Sequence, residues 1–554
     1  MFDFGIVAEF LRGVARKMIG ARTIEQTLHV TPSISSQMEH AIELWSDMYK
    51  GQSPWLKEAN FGDPVRIVSL GLPSMIASEK ARTVLLELQS EITTPTEEVE
   101  VENPNYSEPE PDILGNIIPT MQPPTITEDR PITDTARAEY LESQYKKLKK
   151  QLRKQVEYGI AKGGLVIKPY VIINDVEKPI SEGSEVTATA DIEFDFVQAD
   201  CFYPLAFDAA GRITEAAFIQ TKTEKDSVYR RLEYHKWQGN KVEIVNKAFK
   251  SSNNQNQGDM SGLDLGHEVP LNSVPEWKDL QEKTTIANVD KPLFAYFRMP
   301  EANTIDTSSP LGVSGFSRAV DLIKDADMQY SRLLWEYEAG EMAIDIDRDA
   351  MSFKKDGQDG EHTVMPVMQE RLFRKIDVNI DGSTYYPYAP TLRDTAYIQG
   401  LNTILMRIED VTGLSRGTIS DAAAEARTAT ELKILKQRSY QANADIQQSL
   451  EDALKDVIYI MNTYCDLYEI TPDGEYDVSF EWDDSILVDV DTELGKRITL
   501  QQNGLASKLE NRMWYFGETE RQAQEALMKV GEESQQAMEE NLIMQSNLNK
   551  EEVV

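Results

Sequence analysis

Cysteine is nearly absent: Cys201 and Cys465 are the two in 554 residues, and neither belongs to a Cys-x-x-Cys pair. Two distant thiols build neither a disulfide framework nor a thiolate metal site, so a reducing compartment is expected. Histidine is scarce as well. His29, His40, His235, His267 and His362 are scattered, with no His-Glu-x-x-His spacing. No apolar run approaches the roughly 18 residues of a membrane-spanning helix, so no membrane partner is expected. Positive charge is short too: 57 Lys+Arg face 93 Asp+Glu, a formal net charge of −36. A free-standing DNA reader carries a basic domain, whereas this chain as a whole repels nucleic acid and anionic membranes. Any relation to DNA must be local, or must tolerate repulsion.

Catalytic motifs are also missing. There is no Gly-x-x-x-x-Gly-Lys-Ser/Thr, no Gly-x-Gly-x-x-Gly and no Gly-x-Ser-x-Gly. The run Asp345-Ile346-Asp347-Arg348-Asp349 invites a calcium-loop reading, but Ala350 stands where the turn needs Gly and Asp356 where it needs Glu. A charged edge strand is the better expectation. Asp483, Asp484, Asp489 and Asp491 could hold two metal ions as a nuclease does, yet they lack an accompanying Lys or His. No metal, cofactor or catalytic residue is therefore assigned. An assembly component is expected rather than an enzyme.

What is present is a mixed α+β pattern, long enough for two or three substructures. Phe4, Val7, Leu11, Val14 and Met18 make the first twenty residues amphipathic, a docking helix rather than a signal peptide. Residues 1–90 read as helical, with Ile42, Trp45, Met48 and Tyr49 on one face. Residues 93–133 alternate acids with prolines (Pro95, Pro104, Pro109, Pro111), so no helix propagates there. We read them as an exposed loop insertion in preference to an acidic decoy of DNA. Residues 134–160 form a helix with Leu141, Tyr145, Leu148, Leu152 and Val156 on one stripe. Its other face holds Lys146, Lys147, Lys149, Lys150, Arg153 and Lys154, read as a solvated face with phosphate contact as the alternative. Residues 164–300 alternate as strands, with hairpin turns at Asp208–Gly211 and Gln238–Asn240 and a polar loop at 251–266.

From residue 309 the order changes. Ser309-Pro310-Leu311-Gly312 opens a turn into a helix over 316–342, with Phe316, Val320, Ile323, Tyr330, Leu334 and Tyr337 in one stripe. Asp327 interrupts it. Short strands and Asp-Gly turns fill 343–392. A helix follows over 393–412, with Tyr397, Leu401, Ile404, Ile408 and Val411 on one face. A loop over 413–427 leads into a helix from 428 to 465 that has no Gly or Pro. A strand over 476–482, two helices within 493–530 and a polar tail from 532 complete the chain.

This order meets specific residues. Ala41-Ile42-Glu43-Leu44-Trp45, Ala161-Lys162-Gly163-Gly164, the 311–338 segment, and Ile408-Glu409-Asp410-Val411-Thr412-Gly413-Leu414-Ser415 followed by Thr428-Ala429-Thr430-Glu431 resemble portal proteins of tailed bacteriophages, in the branch typical of siphophages of Gram-positive bacteria. The resemblance spans most of the chain, though the 93–133 insertion is foreign to the pattern. It implies a portal fold of wing, stem, clip and crown, assembled as a ring with a central channel. The wing would be 1–315, with its β-rich part at 164–300, and the strand region 466–494 would join it. The stem would be 316–342 and 393–412, with Phe316, Asp327, Tyr330, Tyr397 and Leu401. The clip would be 343–392, where Lys354, Lys355, Arg374 and Lys375 contact terminase or adaptor. The tunnel loop would be 413–427, with Ser415, Arg416, Gly417, Glu425 and Arg427 near DNA; alternatively only 413–417 forms a moving turn and Ala422–Ala424 begin the next helix. Helix 428–465 would run from channel to wing, and 495–554 would be crown and tail.

The resemblance further implies a homo-oligomeric ring of usually twelve subunits at one capsid vertex, assembled in the host cytoplasm. Double-stranded DNA is packaged through it and later ejected. Its partners would be the terminase large subunit, head-completion proteins, major capsid protein and scaffolding protein. Another virion assembly role, a minor head or scaffolding component, is the alternative. Asp327 is expected either to bond between subunits or to line an acidic channel wall.

Overall fold

The computed structural model describes residues 24–30, 33–57, 66–86, 88–102, 125–174, 189–224, 227–252, 265–278, 280–347, 354–355, 361–362, 373–376, 385–421, 429–482, 490–519, 522–524 and 526–531. Several expectations fall outside them: the docking helix at 1–20, Glu425 and Arg427, most of the acidic run at 483–491, and the polar tail. The chain divides into two compact units, Met1–Glu481 and Trp482–Val554.

In the first unit, helix α1 (Ser36–Tyr49) starts at Ser35, whose hydroxyl accepts from the Met38 amide at 3.3 Å. It buries Ile42, Trp45 and Met48. Helix α2 (Leu72–Leu86) precedes strand β1 (Leu88–Thr93). Strands β2 (Thr96–Glu102) and β3 (Thr125–Pro131) then pair antiparallel, Val99 opposite Glu128 and Val101 opposite Ile126. The flanks of the acidic insertion are therefore a ribbon, where a loop was expected. Proline forbids the helix, but between Pro95 and Pro104 the order Glu-Val-Glu-Val-Glu has the period of two that a strand needs.

Helix α3 (Ala136–Lys162) is the axis of this unit, and its expected stripe is the buried one: Leu141, Tyr145, Leu148, Leu152 and Val156 are all in the core. Its lysine face is divided. Lys147 meets Asp191 at 2.7 Å, Lys149 donates to the Ser90 carbonyl at 2.7 Å, and Arg153 donates to Glu157 at 2.9 Å and the Ser78 carbonyl at 2.8 Å. These three fasten the helix to its neighbours, while Lys146, Lys150 and Lys154 are exposed.

Strand β4 (Gly164–Asn174) pairs with β5 (Thr189–Gln198). Strands β6 (Phe202–Phe207), β7 (Ile213–Glu224), β8 (Ser227–Gln238) and β9 (Lys241–Ser252) form an antiparallel meander, and β10 (His267–Val269) and β11 (Lys283–Ala287) both pair with β9. The first hairpin turn is as expected: Asp208 Oδ1 accepts from the amides of Ala210 at 2.9 Å and Arg212 at 2.8 Å. Strand β12 (Ala295–Arg298) returns to β4.

Helix α4 (Val320–Ala339) follows a short 3-10 turn. Beyond it come β13 (Ala343–Asp347), β14 (Lys354–Lys355), β15 (Glu361–His362), β16 (Phe373–Ile376) and β17 (Tyr385–Tyr388). Strand β13 lies between β16 and β17, so the Asp345–Asp347 run is a central strand, not an edge. Its Ala-Ile-Asp-Ile-Asp alternation gives it one apolar face, and residues 373–388 supply both neighbours. Helix α5 (Asp394–Thr412) and helix α6 (Ala429–Leu467) complete the helical framework. At about 1.5 Å per residue, α6 extends about 58 Å. Ile446, Leu450, Leu454, Val457 and Ile460 are buried along it. Arg137 at the start of α3 binds the end of α6, donating to Asn462 Oδ1 at 2.7 Å and Asp466 Oδ1 at 2.5 Å. Strand β18 (Asp477–Trp482) pairs with β1.

The second unit holds helices α7 (Val490–Gln502) and α8 (Lys508–Phe516). Ser507 and Glu510 close a capping box at the start of α8, with bonds of 2.8 and 3.0 Å. The Arg497 guanidinium lies 4.4 Å over the Trp514 ring.

Candidate functional site

The site is the pair α4 and α5 with the turn that precedes them and the loop that follows. The preceding turn is fitted backbone to backbone against the end of α3. A Cβ on Gly312 would collide with the Gly163 carbonyl, and one on Gly163 would lie 2.6 Å from the Gly312 carbonyl. Glycine at both positions allows the Gly315 amide to donate to the Ile160 carbonyl at 2.9 Å. Phe316 is fully buried at this junction, so it anchors the helix pair without lining its length.

Asp327, on α4, is 1% exposed. Its Oδ2 accepts from the Trp55 indole at 3.0 Å and its Oδ1 from the Leu70 amide at 2.8 Å. One turn on, the Ser331 hydroxyl donates to the Asp327 carbonyl at 2.6 Å and accepts from the Val68 amide at 2.8 Å. Within the chain Asp327 ties α4 to Trp55 and Leu70, and Ser331 ties it to Val68. Burial pushes its carboxyl above the ordinary Asp range, against the pull of the two donors.

Helices α4 and α5 pack side by side. Glu336 near the end of α4 accepts from the Arg393 backbone amide and Nε, both at 3.1 Å, and from Arg393 Nη2 at 2.7 Å. These bonds hold the Glu336 carboxyl below the usual range. Tyr330 and Leu401 are half-buried, and Tyr397 lies under the Arg393 guanidinium at 5.5 Å. Trp335 is 39%, Tyr337 40% and Ile398 49% exposed. Large apolar side chains at this end of the pair are thus only partly covered within the chain.

The loop after α5 is tightly organised. Helix α5 ends at Gly413 (φ 75°). Glu409 is fully buried, and its Oε1 accepts from the amides of Gly417 at 3.1 Å, Ile419 at 2.7 Å and Ser420 at 2.9 Å. Its Oε2 accepts from the Ser420 hydroxyl at 2.7 Å. Asn402 and Asp421 bond reciprocally, side chain to backbone, at 3.0 and 2.8 Å. Arg416 is clamped by Asp410, Nε to Oδ1 at 3.0 Å and Nη2 to Oδ2 at 2.9 Å. Residues 413–417 are thus fastened at several points.

The structure brings Ser415, Arg416 and Gly417 together at the end of α5. It puts Lys354 and Lys355 on β14, and Arg374 and Lys375 on β16, in the segment between α4 and α5. Glu409 and Asn402 are functional candidates that sequence reasoning missed. The available signal was spacing: Leu405, Ile408, Glu409 and Thr412 repeat at helical intervals, and 408, 409 and 412 are the positions buried at this end.

Among the described residues no group of three His, Cys, Asp or Glu side chains could hold a metal ion, and no helix is long and apolar enough to cross a membrane. A cavity of about 420 Å³ opens beside β5 and β8. Six of its charged side chains pair with one another: Lys162 with Asp200 at 2.5 Å, Lys168 with Glu233 at 2.9 Å and Asp195 at 3.3 Å, Arg231 with Glu233 at 2.9 Å; Lys50 lines it as well.

No curated protein matches the chain. A family model described as phage portal protein, SPP1 Gp6-like, matches residues 119–540, which takes in α3, strands β3 to β18, the helix pair, its loop and α6. With most of its length matched, and with a helix pair, a small sheet between the two helices and a long return helix in the order that the sequence resemblance implied, the chain belongs to the SPP1 Gp6-like family of phage portal proteins.

Proposed function

We propose that this portal protein works as a closed ring, usually of twelve subunits, at one vertex of the capsid. Its α4–α5 pair is the stem, residues 343–392 the clip, and residues 413–427 the loop nearest DNA. The wing is residues 1–315 with the strand region 466–494, and the crown lies within 495–554. The clip meets the terminase large subunit during packaging and head-completion proteins afterwards. The wing meets major capsid and scaffolding proteins, assembly takes place in the host cytoplasm, and DNA passes through the centre in both directions.

The observation that supports this most is the set of exposed apolar side chains where α4 ends and α5 begins. Trp335 and Tyr337 on α4, Leu392 just before α5 and Ile398 on α5 leave apolar area in water, which a neighbouring copy in a ring would cover. The net charge of −36 fits a conduit. Cationic contacts to phosphate give residence on DNA, whereas an acidic wall lets it slide. Negative-stain imaging of the purified protein tests the reading. Closed rings with a central hole and a countable symmetry are expected. A monomer that persists at high concentration with scaffolding protein present would sink it.

A further inference from the structure

We propose that Glu409 is the positioning residue for the channel-facing loop: it fixes the loop's root against α5 and so links the loop to the stem helix. The inference rests on the portal reading above. A carboxylate offers about four lone-pair sites, and the amides of Gly417, Ile419 and Ser420 with the Ser420 hydroxyl supply four donors. No ion pair to Glu409 is among the described contacts; the guanidinium of Arg416 is near enough to feel it but is engaged by Asp410. The carboxylate's hydrogen-bond partners are therefore the converging backbone amides and the Ser420 hydroxyl. That convergence needs the left-handed backbone of Gly417 (φ 91°), which other residues adopt only with strain.

The geometry gives the root a direction. Asn402 and Glu409 lie seven residues apart, on one face of α5. Asp421 is held at Asn402 and residues 417–420 at Glu409. From Gly413 the chain therefore doubles back along its own helix, over roughly 15 Å at the helical rise. Whatever follows Asp421 starts from a fixed point on the stem. Force applied to the loop by passing DNA is delivered to α5 rather than absorbed in a slack turn. Arg416 belongs to this fastening and is not a spare cation for phosphate.

Deleting the loop would leave the Glu409 carboxylate buried and unpaired, so point variants make the better test. Rings of the native protein, Glu409→Ala, Glu409→Gln and Ser420→Ala are compared by hydrogen exchange of peptides spanning 413–421 and by DNA packaging into procapsids with the terminase. In Glu409→Ala, exchange at 417–420 should accelerate at least about tenfold, the scale expected when buried donors lose their acceptor. Rings should persist while packaging falls. Glu409→Gln keeps an acceptor for the amides and should recover part of both; Ser420→Ala should give the smallest change. Unchanged exchange in Glu409→Ala, or freed amides with native packaging, would overturn the inference. If Glu409→Ala does not assemble, Glu409→Gln decides: faster exchange with reduced packaging supports the inference, while unchanged exchange or loss of rings overturns it. A native protein that forms no rings, or rings that package nothing, counts against the portal reading instead.

Discussion

Two carboxylates on α4, nine residues apart in sequence, are used in opposite ways. Asp327 is buried and accepts from two neutral N–H groups, and burial raises its proton affinity. Its folded-state pKa therefore lies above the unfolded value, and its contribution to stability falls as pH rises from the ordinary Asp range toward that raised value. Asp327→Asn should cost about 1–3 kcal/mol, because the amide can accept from only one of the two donors and leaves the other buried and unpaired. Urea unfolding of the two proteins at neutral pH measures this directly. A native midpoint in the variant would show that water replaces the lost acceptor. The Asp327 partners lie 257 and 272 residues earlier in the chain, so the side chain's role was invisible to a helical stripe that only marked it as out of place.

At the scale of elements, the contact between Glu336 and Arg393 links the end of α4 to the start of α5, on either side of the segment that holds β13 to β17. Glu336 has a depressed folded-state pKa, caused by the Arg393 bonds. Its contribution is present above the ordinary Glu value near 4.3 and is lost as pH falls through the lower folded-state value. In Glu336→Gln the acid-dependent part should disappear, giving a shallower loss of thermal stability between about pH 5 and pH 3 while neutral-pH stability falls modestly. Melting temperatures across that range decide the matter; an identical acid limb in both proteins would mean that the contact does not couple the helix ends. The helices themselves were legible, since apolar residues at spacings of three and four mark α3, α4, α5 and α6. The pairing of β2 with β3 was not, because the prolines and acids that exclude a helix also resemble a loop, and the period of two is confined to a few residues between them.

At the scale of the whole molecule, charge sets the conditions for assembly. Each copy bears a formal −36, so copies repel at low salt and the repulsion is screened over a Debye length of about 8 Å at physiological ionic strength. The assembled fraction should therefore rise as salt is increased toward about 0.15 M. Sedimentation velocity at fixed protein concentration reads this out. Dissociation by salt would instead mean that attractive ion pairs between copies dominate the interface.

The sequence alone determined the family: segments such as 311–338 and 408–415 resemble phage portal proteins, and a portal family model matches residues 119–540. Local periodicity placed the long helices. Tertiary structure decided which polar residues matter. Asp327 acquired its partners from the N-terminal region, β13 became a central strand through neighbours at 373–388, and Glu409 became the anchor of its loop. The reason is physical. Periodicity records which face of an element is apolar, a property of adjacent residues, whereas a buried carboxylate is made tolerable only by particular donors that the fold brings to it.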